Sequence, residues 1–238
     1  MAGDAKRTIL HAAKTTLPVL FGYVPLGMAF GLLLADAGYG AGIGALMSAA
    51  MYAGSNQFLA IQLLRDHAPL IEMFAMALFL SARHVVYGLS LIERYRGAGR
   101  CRPYLIFALT DEVYGLMVGA RPPEGGDERL WQFALSALCQ SYWVLGSVLG
   151  GLLGAALSID TKGMDFALTA LFAVLAIDLL RGRGAVRPFA VGALCGALAL
   201  AMPDRRLMMP LAIAAILLAL IGLKKPIERG MEGGGGRE

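Results

Sequence analysis

Long apolar stretches separated by short polar ones recur along the whole chain. Eight of them cover residues 17–35, 41–64, 68–92, 103–120, 130–157, 164–180, 185–201 and 207–223. Most approach the length of about 20 residues that a helix needs to cross the hydrocarbon core of a bilayer. Helices satisfy their backbone hydrogen bonds internally, and the stretches lack the short alternating pattern of an outer-membrane barrel. The pattern predicts an all-α polytopic transmembrane helical bundle of seven to eight membrane segments.

Composition and charge agree with this fold class. Of the 238 residues, 58% are hydrophobic and 16% are charged, whereas soluble domains average about 25% charged residues. The net charge of +4 comes from basic residues in short loops beside apolar segments, as is typical of cytoplasmic loops. Cys101, Cys139 and Cys195 are far apart and form no CxxC pair. We therefore expect a lipid bilayer as the surroundings, and no nucleic-acid partner, metal or cofactor.

Three regions follow from the apolar pattern. Residues 1–16 carry three basic residues and are predicted to be a cytoplasmic N-terminal segment. They lead into a retained first helix, because no small-residue cleavage site followed by a polar domain interrupts the first apolar stretch. Residues 17–223 form the transmembrane domain. Residues 224–238 have too little apolar surface to pack, so we predict a flexible polar tail there.

The basic loops constrain the topology. The loop 93–102 carries four arginines. It would lie outside if all eight segments crossed the membrane from a cytoplasmic N-terminus, which opposes the positive-inside tendency. The conflict disappears if 41–64, which "AGSNQF" interrupts, and 164–180 each enter and leave on one side. The loops 93–102 and 181–187 are then both predicted to be cytoplasmic.

Glycine positions suggest an internal repeat. A shift of 119 residues places Gly27, Gly31 and Gly44 on Gly146, Gly150 and Gly163. This offset predicts two inverted halves with broken helices, an arrangement that places a ligand near the middle of the membrane. The alternative interpretation is that glycines spaced by four residues let helix backbones approach closely.

Polar residues inside apolar segments are the candidates for function, because a charge at a helix centre costs roughly 2.5–3.5 kcal/mol on insertion scales. The candidates for substrate binding or proton coupling are Asn56, Gln57, Arg83, His84, Asp111, Glu112 and Asp165. The polar run at 54–57 favours a break that lines a cavity, and the alternative is hydrogen bonding between helices.

Two adjacent pairs carry opposite chemistry. Arg83 suits a carboxylate and His84 suits a proton relay if both face the interior, and the alternative is that they reach the headgroups. Asp111 and Glu112 point about 100° apart on a helix, so they cannot share one partner. One of them would pair with Arg83 or His84, while the other binds an ammonium group or carries a proton. In the alternative, the segment ends early and both acids are solvated.

Five motifs in order carry a family resemblance. They are the proline and glycine pattern at 18–31, "LMSAAMYAGSNQF" at 46–58, "ARHVVYGLSL" at 82–91, "TDEVYGL" at 110–116 and "GMDFALTALF" at 163–172. Together the motifs resemble the AzlC-like family of branched-chain amino-acid permeases, over roughly residues 15–222. One position departs from the family pattern, because Ser81 stands where the family commonly has Asn.

The resemblance implies a multi-pass exporter of valine, leucine, isoleucine and analogues in the bacterial inner membrane. It also implies a small AzlD-like membrane subunit as partner. No Walker motif is present, so secondary transport driven by a proton gradient is expected, and no enzyme activity. Two other interpretations stay open. One is an intramembrane aspartyl protease that uses Asp111 and Asp165, although the GxGD pattern is missing. The other is a scaffold subunit that does not transport.

Overall fold

The fold is helical throughout the part of the chain that the computed structural model describes, which is residues 2–156 and 186–200 with Ala173 and Ala215. The chain divides into two compact units, Met1–Ala167 and Leu168–Glu238. The α-helices of the first unit are α1 Ala2–Asp36, α2 Ala41–Ala50, α3 Gly54–Arg65, α4 Leu70–Ser81, α5 Arg83–Leu91, α6 Arg102–Phe107, α7 Asp111–Gly119 and α8 Glu128–Ala156. A 3₁₀ helix, Arg96–Cys101, precedes α6, and the second unit contains α9, Val186–Leu200.

Two helices, α1 and α8, are long and apolar enough to cross a membrane, over Asp4–Asp36 and Glu128–Ala156. The pair α4 and α5 qualifies as a third span if its bend of 41° is counted as a break within one span. The predicted segments 164–180 and 207–223 lie almost wholly outside the described residues. The all-helical class is therefore confirmed for the described chain, and the count of seven to eight segments stays a prediction.

Glycines bring α1 and α8 into close contact. A Cβ atom added at Gly27 would lie 2.9 Å from the Trp143 carbonyl oxygen, and one at Gly146 would lie 2.5 Å from the Val24 carbonyl oxygen. Cβ atoms at Gly31 and Gly150 would overlap the backbone of the facing helix. Small residues at four-residue spacing permit this approach. The packing interpretation of these glycines is confirmed.

The same contacts bear on the predicted repeat. Residue numbers rise together along the interface, from Gly27 against Gly146 to Gly31 against Gly150, so α1 and α8 run parallel. This helix pair therefore lacks the inverted relation that the 119-residue offset predicted. The offset has a physical cause in packing, because each helix needs small residues at the level where the two backbones meet. Gly163 lies outside the described residues.

The bundle has two ends, which α1 defines. We call the end where α1 and α8 begin the near end; there Trp131 Nε1 donates to His11 Nδ1 at 3.2 Å. The far end is where α1 finishes at Asp36. α2 starts at the far end and runs antiparallel to α8, since Ala41 faces Gly151 and Ser48 bonds Ser147 at 2.7 Å.

α3 returns to the end from which α2 came. The chain breaks over residues 51–53, where Tyr52 has a φ of 42°. At its last residue, α3 places Arg65 2.6 Å from Asp36 at the far end. Residues 41–65 thus form a helical hairpin that enters and leaves on one side, as predicted for 41–64. The polar run at 54–57 lies just after the break and forms the first turn of α3, where small polar residues are favoured.

A second hairpin enters from the near end. Arg94, which precedes α6 in the chain, pairs with Glu128 at 3.0 Å at the near end. Arg94 also donates to the carbonyl oxygen of Ala120, which directly follows α7, at 3.2 Å. The chain therefore enters α6 and leaves α7 at the near end. The segment 103–120, which was interpreted as one crossing, is therefore two short helices that turn back. Its break covers residues 108–110 and ends at Thr110, whose side chain caps α7 by accepting from Val113 N.

The two hairpins meet inside the bundle. The Tyr52 and Phe107 rings, one beside each break, have centroids 6.4 Å apart. Gln140 of α8 joins the hairpins, because it accepts from Tyr104 Oη at 2.8 Å and donates to the Ala49 carbonyl at 3.0 Å. Residues 41–91 and residues 102–156 therefore each form a hairpin followed by a long or bent helix. The first of these segments starts at the far end of the bundle and the second starts at the near end.

Labelling of single cysteines tests this topology. In a variant without the three native cysteines, Gly97→Cys and Asp66→Cys should react with a membrane-impermeant thiol reagent from opposite sides. Gly97 lies at the near end and Asp66 at the far end. Glu124→Cys, also exposed near the start of α8, is the matched control and should label with Gly97→Cys on the cytoplasmic side. Labelling of Gly97→Cys from the periplasmic side, with Asp66→Cys labelled from the cytoplasmic side, would contradict the hairpin over 41–65, because a simple crossing there exchanges the two positions.

Candidate functional site

The central site lies where the first turns of α3 and α7 approach each other from opposite ends. Both helices start at a break inside the bundle, and helix starts carry unpaired N–H groups and a partial positive charge. The two starts differ in chemistry. α3 has no side-chain cap and no acidic residue in its first turn, whereas α7 has the Thr110 cap with Asp111 and Glu112. One start thus favours an anion, and the other presents acids.

Arg83 joins the two helix starts. It is the first residue of α5, directly after the bend at Ala82. Its Nη2 lies 2.8 Å from Asp111 Oδ2 and donates to Ser55 Oγ at 3.2 Å. The side chains are 29% and 20% exposed for Arg83 and Asp111. The predicted pairing of Arg83 with one of the two adjacent acids is confirmed, and the acid is Asp111.

This ion pair keeps unused hydrogen-bonding atoms. Arg83 Nε and Asp111 Oδ1 are buried and have no hydrogen-bond partner in the described part of the chain. Buried polar groups in proteins are nearly always paired. One donor and one acceptor beside each other can therefore bind a ligand that carries both kinds of group.

Glu112 faces a different partner. Tyr23 Oη of α1 donates to Glu112 Oε2 at 2.7 Å and lies 2.7 Å from Thr110 Oγ1. Tyr23 is 5% exposed. Asp111 and Glu112 therefore serve separate partners, as the angle of about 100° between adjacent helical residues predicted.

The structure separates Asn56 from Gln57. Asn56 lies in the first turn of α3, and its Nδ2 donates to Ser81 Oγ at 2.7 Å, while its Oδ1 has no partner among the described residues. Gln57 is completely buried. Its Oε1 accepts from Trp143 Nε1 at 2.8 Å, and its Nε2 donates to Ser48 Oγ at 3.0 Å. Asn56 thus borders the central site, and Gln57 joins α2, α3 and α8.

His84 makes a local contact. Its Nδ1 lies 3.1 Å from the Ser81 carbonyl oxygen, and since a carbonyl only accepts, Nδ1 carries the hydrogen. The ring meets Tyr87 edge to face, with centroids 5.8 Å apart. Within the described residues, His84 has no hydrogen bond or ion pair with Asp111 or Glu112. Asp165, the remaining candidate, lies outside the described residues.

Several residues of the site were not among the sequence candidates: Tyr23, Ser55, Ser81, Tyr87 and Thr110. Thr110 had a signal, because Thr followed by two acids is typical of a helix start. Tyr23 had none, since its partners lie 87 and 89 positions away along the chain. Among the described residues, no group of three or more His, Cys, Asp or Glu side chains is placed to hold a metal ion.

Comparison with known proteins gives consistent matches. The model of the AzlC protein family matches residues 18–157. An uncharacterized membrane protein of Helicobacter pylori strain J99 is 36% identical over 225 residues, which is 94% of this chain and 99% of that protein. The branched-chain amino acid transport protein AzlC of Bacillus subtilis is 36% identical over 164 residues, 68% of this chain and 64% of that protein.

A more distant relative is the inner membrane protein YgaZ of Escherichia coli, 28% identical over 177 residues, 73% of this chain and 72% of that protein. No solved structure matches the chain. The family model covers more than half of the sequence and includes the whole of the two hairpins and α8. The chain belongs to the AzlC family.

Proposed function

We propose that this protein is a secondary transporter that exports branched-chain amino acids across the bacterial inner membrane. The name of the Bacillus subtilis relative supports the substrate class. Export, proton coupling and a small AzlD-like subunit are parts of the proposal that the family resemblance motivates. The observation that carries the proposal is the Arg83–Asp111 pair between two helix starts, with one donor and one acceptor unused.

An amino-acid zwitterion matches this arrangement. Its carboxylate would bind at the uncapped start of α3, beside Arg83 and Ser55, because free N–H groups and a guanidinium both favour an anion. Its ammonium group would bind Asp111 in the first turn of α7. Tyr87 and Tyr114 stack with centroids 4.4 Å apart and give the site an aromatic wall.

Substrate selectivity has a candidate determinant at Ser81. The Ser81 hydroxyl accepts from Asn56, which lies in the first turn of α3. The longer Asn that the family commonly has at this position would contact Asn56 differently and would reach further toward the substrate. We therefore propose that Ser81 adjusts which apolar side chains the site accepts.

The two other interpretations fit less well. An aspartyl protease needs two adjacent carboxylates that share a proton, whereas Asp111 forms an ion pair with Arg83. A scaffold without transport gives no role to the unused donor and acceptor of that pair. Both interpretations predict no amino-acid movement.

Counterflow of labelled leucine in proteoliposomes tests the proposal. Vesicles that contain the full-length chain and are loaded with unlabelled leucine should accumulate the label, in assays run with and without the small subunit. Labelled lysine is the matched control and should not exchange, since its charged side chain would lose water against the aromatic wall of Tyr87 and Tyr114. The absence of leucine, valine and isoleucine counterflow in both preparations would refute the transport proposal.

A further inference from the structure

We propose that Glu112, held by Tyr23, carries the proton that drives transport, while Asp111 with Arg83 binds the substrate. This inference rests on the proposed function and assigns separate tasks to the two adjacent acids. It rests on the direction of a buried hydrogen-bond chain and on the charges that surround Glu112.

The direction of the chain follows from a charged Glu112, since an ionised carboxylate only accepts. The Val113 backbone N–H can only donate, and it donates to Thr110 Oγ1 at 3.3 Å. Tyr23 Oη donates its single hydrogen to Glu112 Oε2. Thr110 must then donate its hydrogen to Tyr23 Oη, which lies 2.7 Å away. With Glu112 charged, the chain runs from Thr110 through Tyr23 to Glu112 Oε2.

Protonation of Glu112 reverses this chain. A protonated carboxyl group donates to Tyr23 Oη, which frees the tyrosine hydrogen to point toward Thr110. Thr110 Oγ1 then accepts from both Tyr23 and Val113, and its own hydrogen has to turn away. Thr110 caps α7, whose first residue is Asp111. A change in the protonation state of Glu112 therefore changes the hydrogen bonds at the start of α7, the helix that binds the substrate ammonium.

Several neutral groups lie close to Glu112. They are Tyr23 of α1, Tyr52 at the first break and Cys139 of α8, together with Thr110 at its own helix start. The neighbouring Asp111 is already paired with Arg83. Within the described part of the chain, no Lys, Arg or His forms an ion pair with Glu112. A carboxylate at membrane depth without a paired cation is a candidate for a proton relay.

The two acids thus differ in what can neutralise them. Arg83 compensates the charge of Asp111 in an ion pair, and a substrate ammonium can share that role. Glu112 has only a neutral phenol as donor, so a proton is the cation that fits it. His84 was the other candidate for the proton step, yet its Nδ1 bonds the carbonyl oxygen of Ser81 at the end of α4.

Two assays on the same proteoliposomes test the assignment. Leucine counterflow at equal pH measures substrate exchange, and leucine movement driven by a pH gradient measures coupling. Glu112→Gln should keep counterflow within about threefold of wild type and lose about tenfold or more of the gradient-driven movement, because Gln cannot release a proton. Tyr23→Phe should keep counterflow and shift the pH dependence of gradient-driven movement. Glu124→Gln, in an exposed loop, is the matched control and should change neither assay.

The outcomes separate this inference from the proposed function. Wild-type vesicles without counterflow would refute transport itself. Counterflow with no response to a pH gradient, or full gradient-driven movement by Glu112→Gln, would overturn the inference and leave transport standing. If His84→Ala loses gradient-driven leucine movement while Glu112→Gln keeps it, the inference is also overturned.

Labelling of the wild-type protein covers the case in which Glu112→Gln misfolds or loses both activities. A hydrophobic carbodiimide reacts with protonated carboxyl groups within the membrane. Glu112 should be modified, and Asp111, which Arg83 holds in an ion pair, should stay unmodified. A peptide map with no modification of Glu112 at any pH would overturn the inference.

Discussion

Replacement of Arg83 by alanine should abolish leucine counterflow and lower the amount of folded protein. The substitution removes the cation that joins the starts of α3 and α7, and it leaves Asp111 without its partner. Removing one member of a buried ion pair costs roughly 3–5 kcal/mol in soluble proteins. Both side chains are partly exposed, so we expect the lower part of that range. Counterflow measured beside the yield of monodisperse protein in detergent checks both effects.

Double variants distinguish the partner of Arg83. Arg83→Ala combined with Asp111→Asn should recover folded protein without transport, because no stranded charge remains. Arg83→Ala combined with Glu112→Gln should recover nothing, since Glu112 bonds Tyr23 instead. Equal recovery in both double variants, or normal counterflow by Arg83→Ala, would show that Arg83 is not held in this ion pair.

Gly31→Ala should destabilise the protein strongly, because an added Cβ would overlap the backbone of α8 at Ser147 and Gly151. Overpacking of a well-packed interface costs typically about 1–3 kcal/mol, and a backbone neighbour cannot turn aside as a side chain can. Gly22→Ala is the matched control on the same helix, since nothing lies within 4 Å of a Cβ there. Thermal unfolding in detergent should show a lower midpoint for Gly31→Ala alone.

Gly150 provides the reciprocal test. A Cβ there would overlap the backbone at Met28 on α1. Gly150→Ala should therefore resemble Gly31→Ala, and the double variant should cost less than the sum of the two, because one separation of the helices relieves both overlaps. Equal midpoints for Gly22→Ala and Gly31→Ala would contradict the close contact of α1 with α8.

The parts of the fold that follow from composition were predictable. Apolar length identified the helices, and the polar run at 54–57 marked the first hairpin. The segment 103–120 was misinterpreted because its length satisfied the rule for a crossing helix. The start of α7 inside that segment depends on one cap, Thr110, which apolar length does not register. Hydropathy responds to the average over a segment, whereas a single cap decides where a helix begins.

The residues of the site were easier to predict from the sequence than the partners that they bond. Sequence reasoning identified Arg83, Asp111 and Glu112, and their angular separation showed that the two acids need different partners. Which acid faces Arg83 depends on the rotation of α7 about its axis, and that rotation is set by packing against α1 and α8. Tyr23 shows the same limit, since only the folded chain brings it to Glu112.

The first hairpin also has a consequence for how the chain is made. Ser48 finds its partner Ser147 only 99 residues later, and Gln57 bonds Trp143, 86 residues later. At about 5–20 residues per second, the ribosome delivers α8 roughly 5–20 s after α2 has emerged. During that interval Ser48 and Gln57 can bond each other, but they lack their partners on α8. The hairpin should therefore stay in contact with water or the insertion machinery, and enter its final position only when α8 arrives.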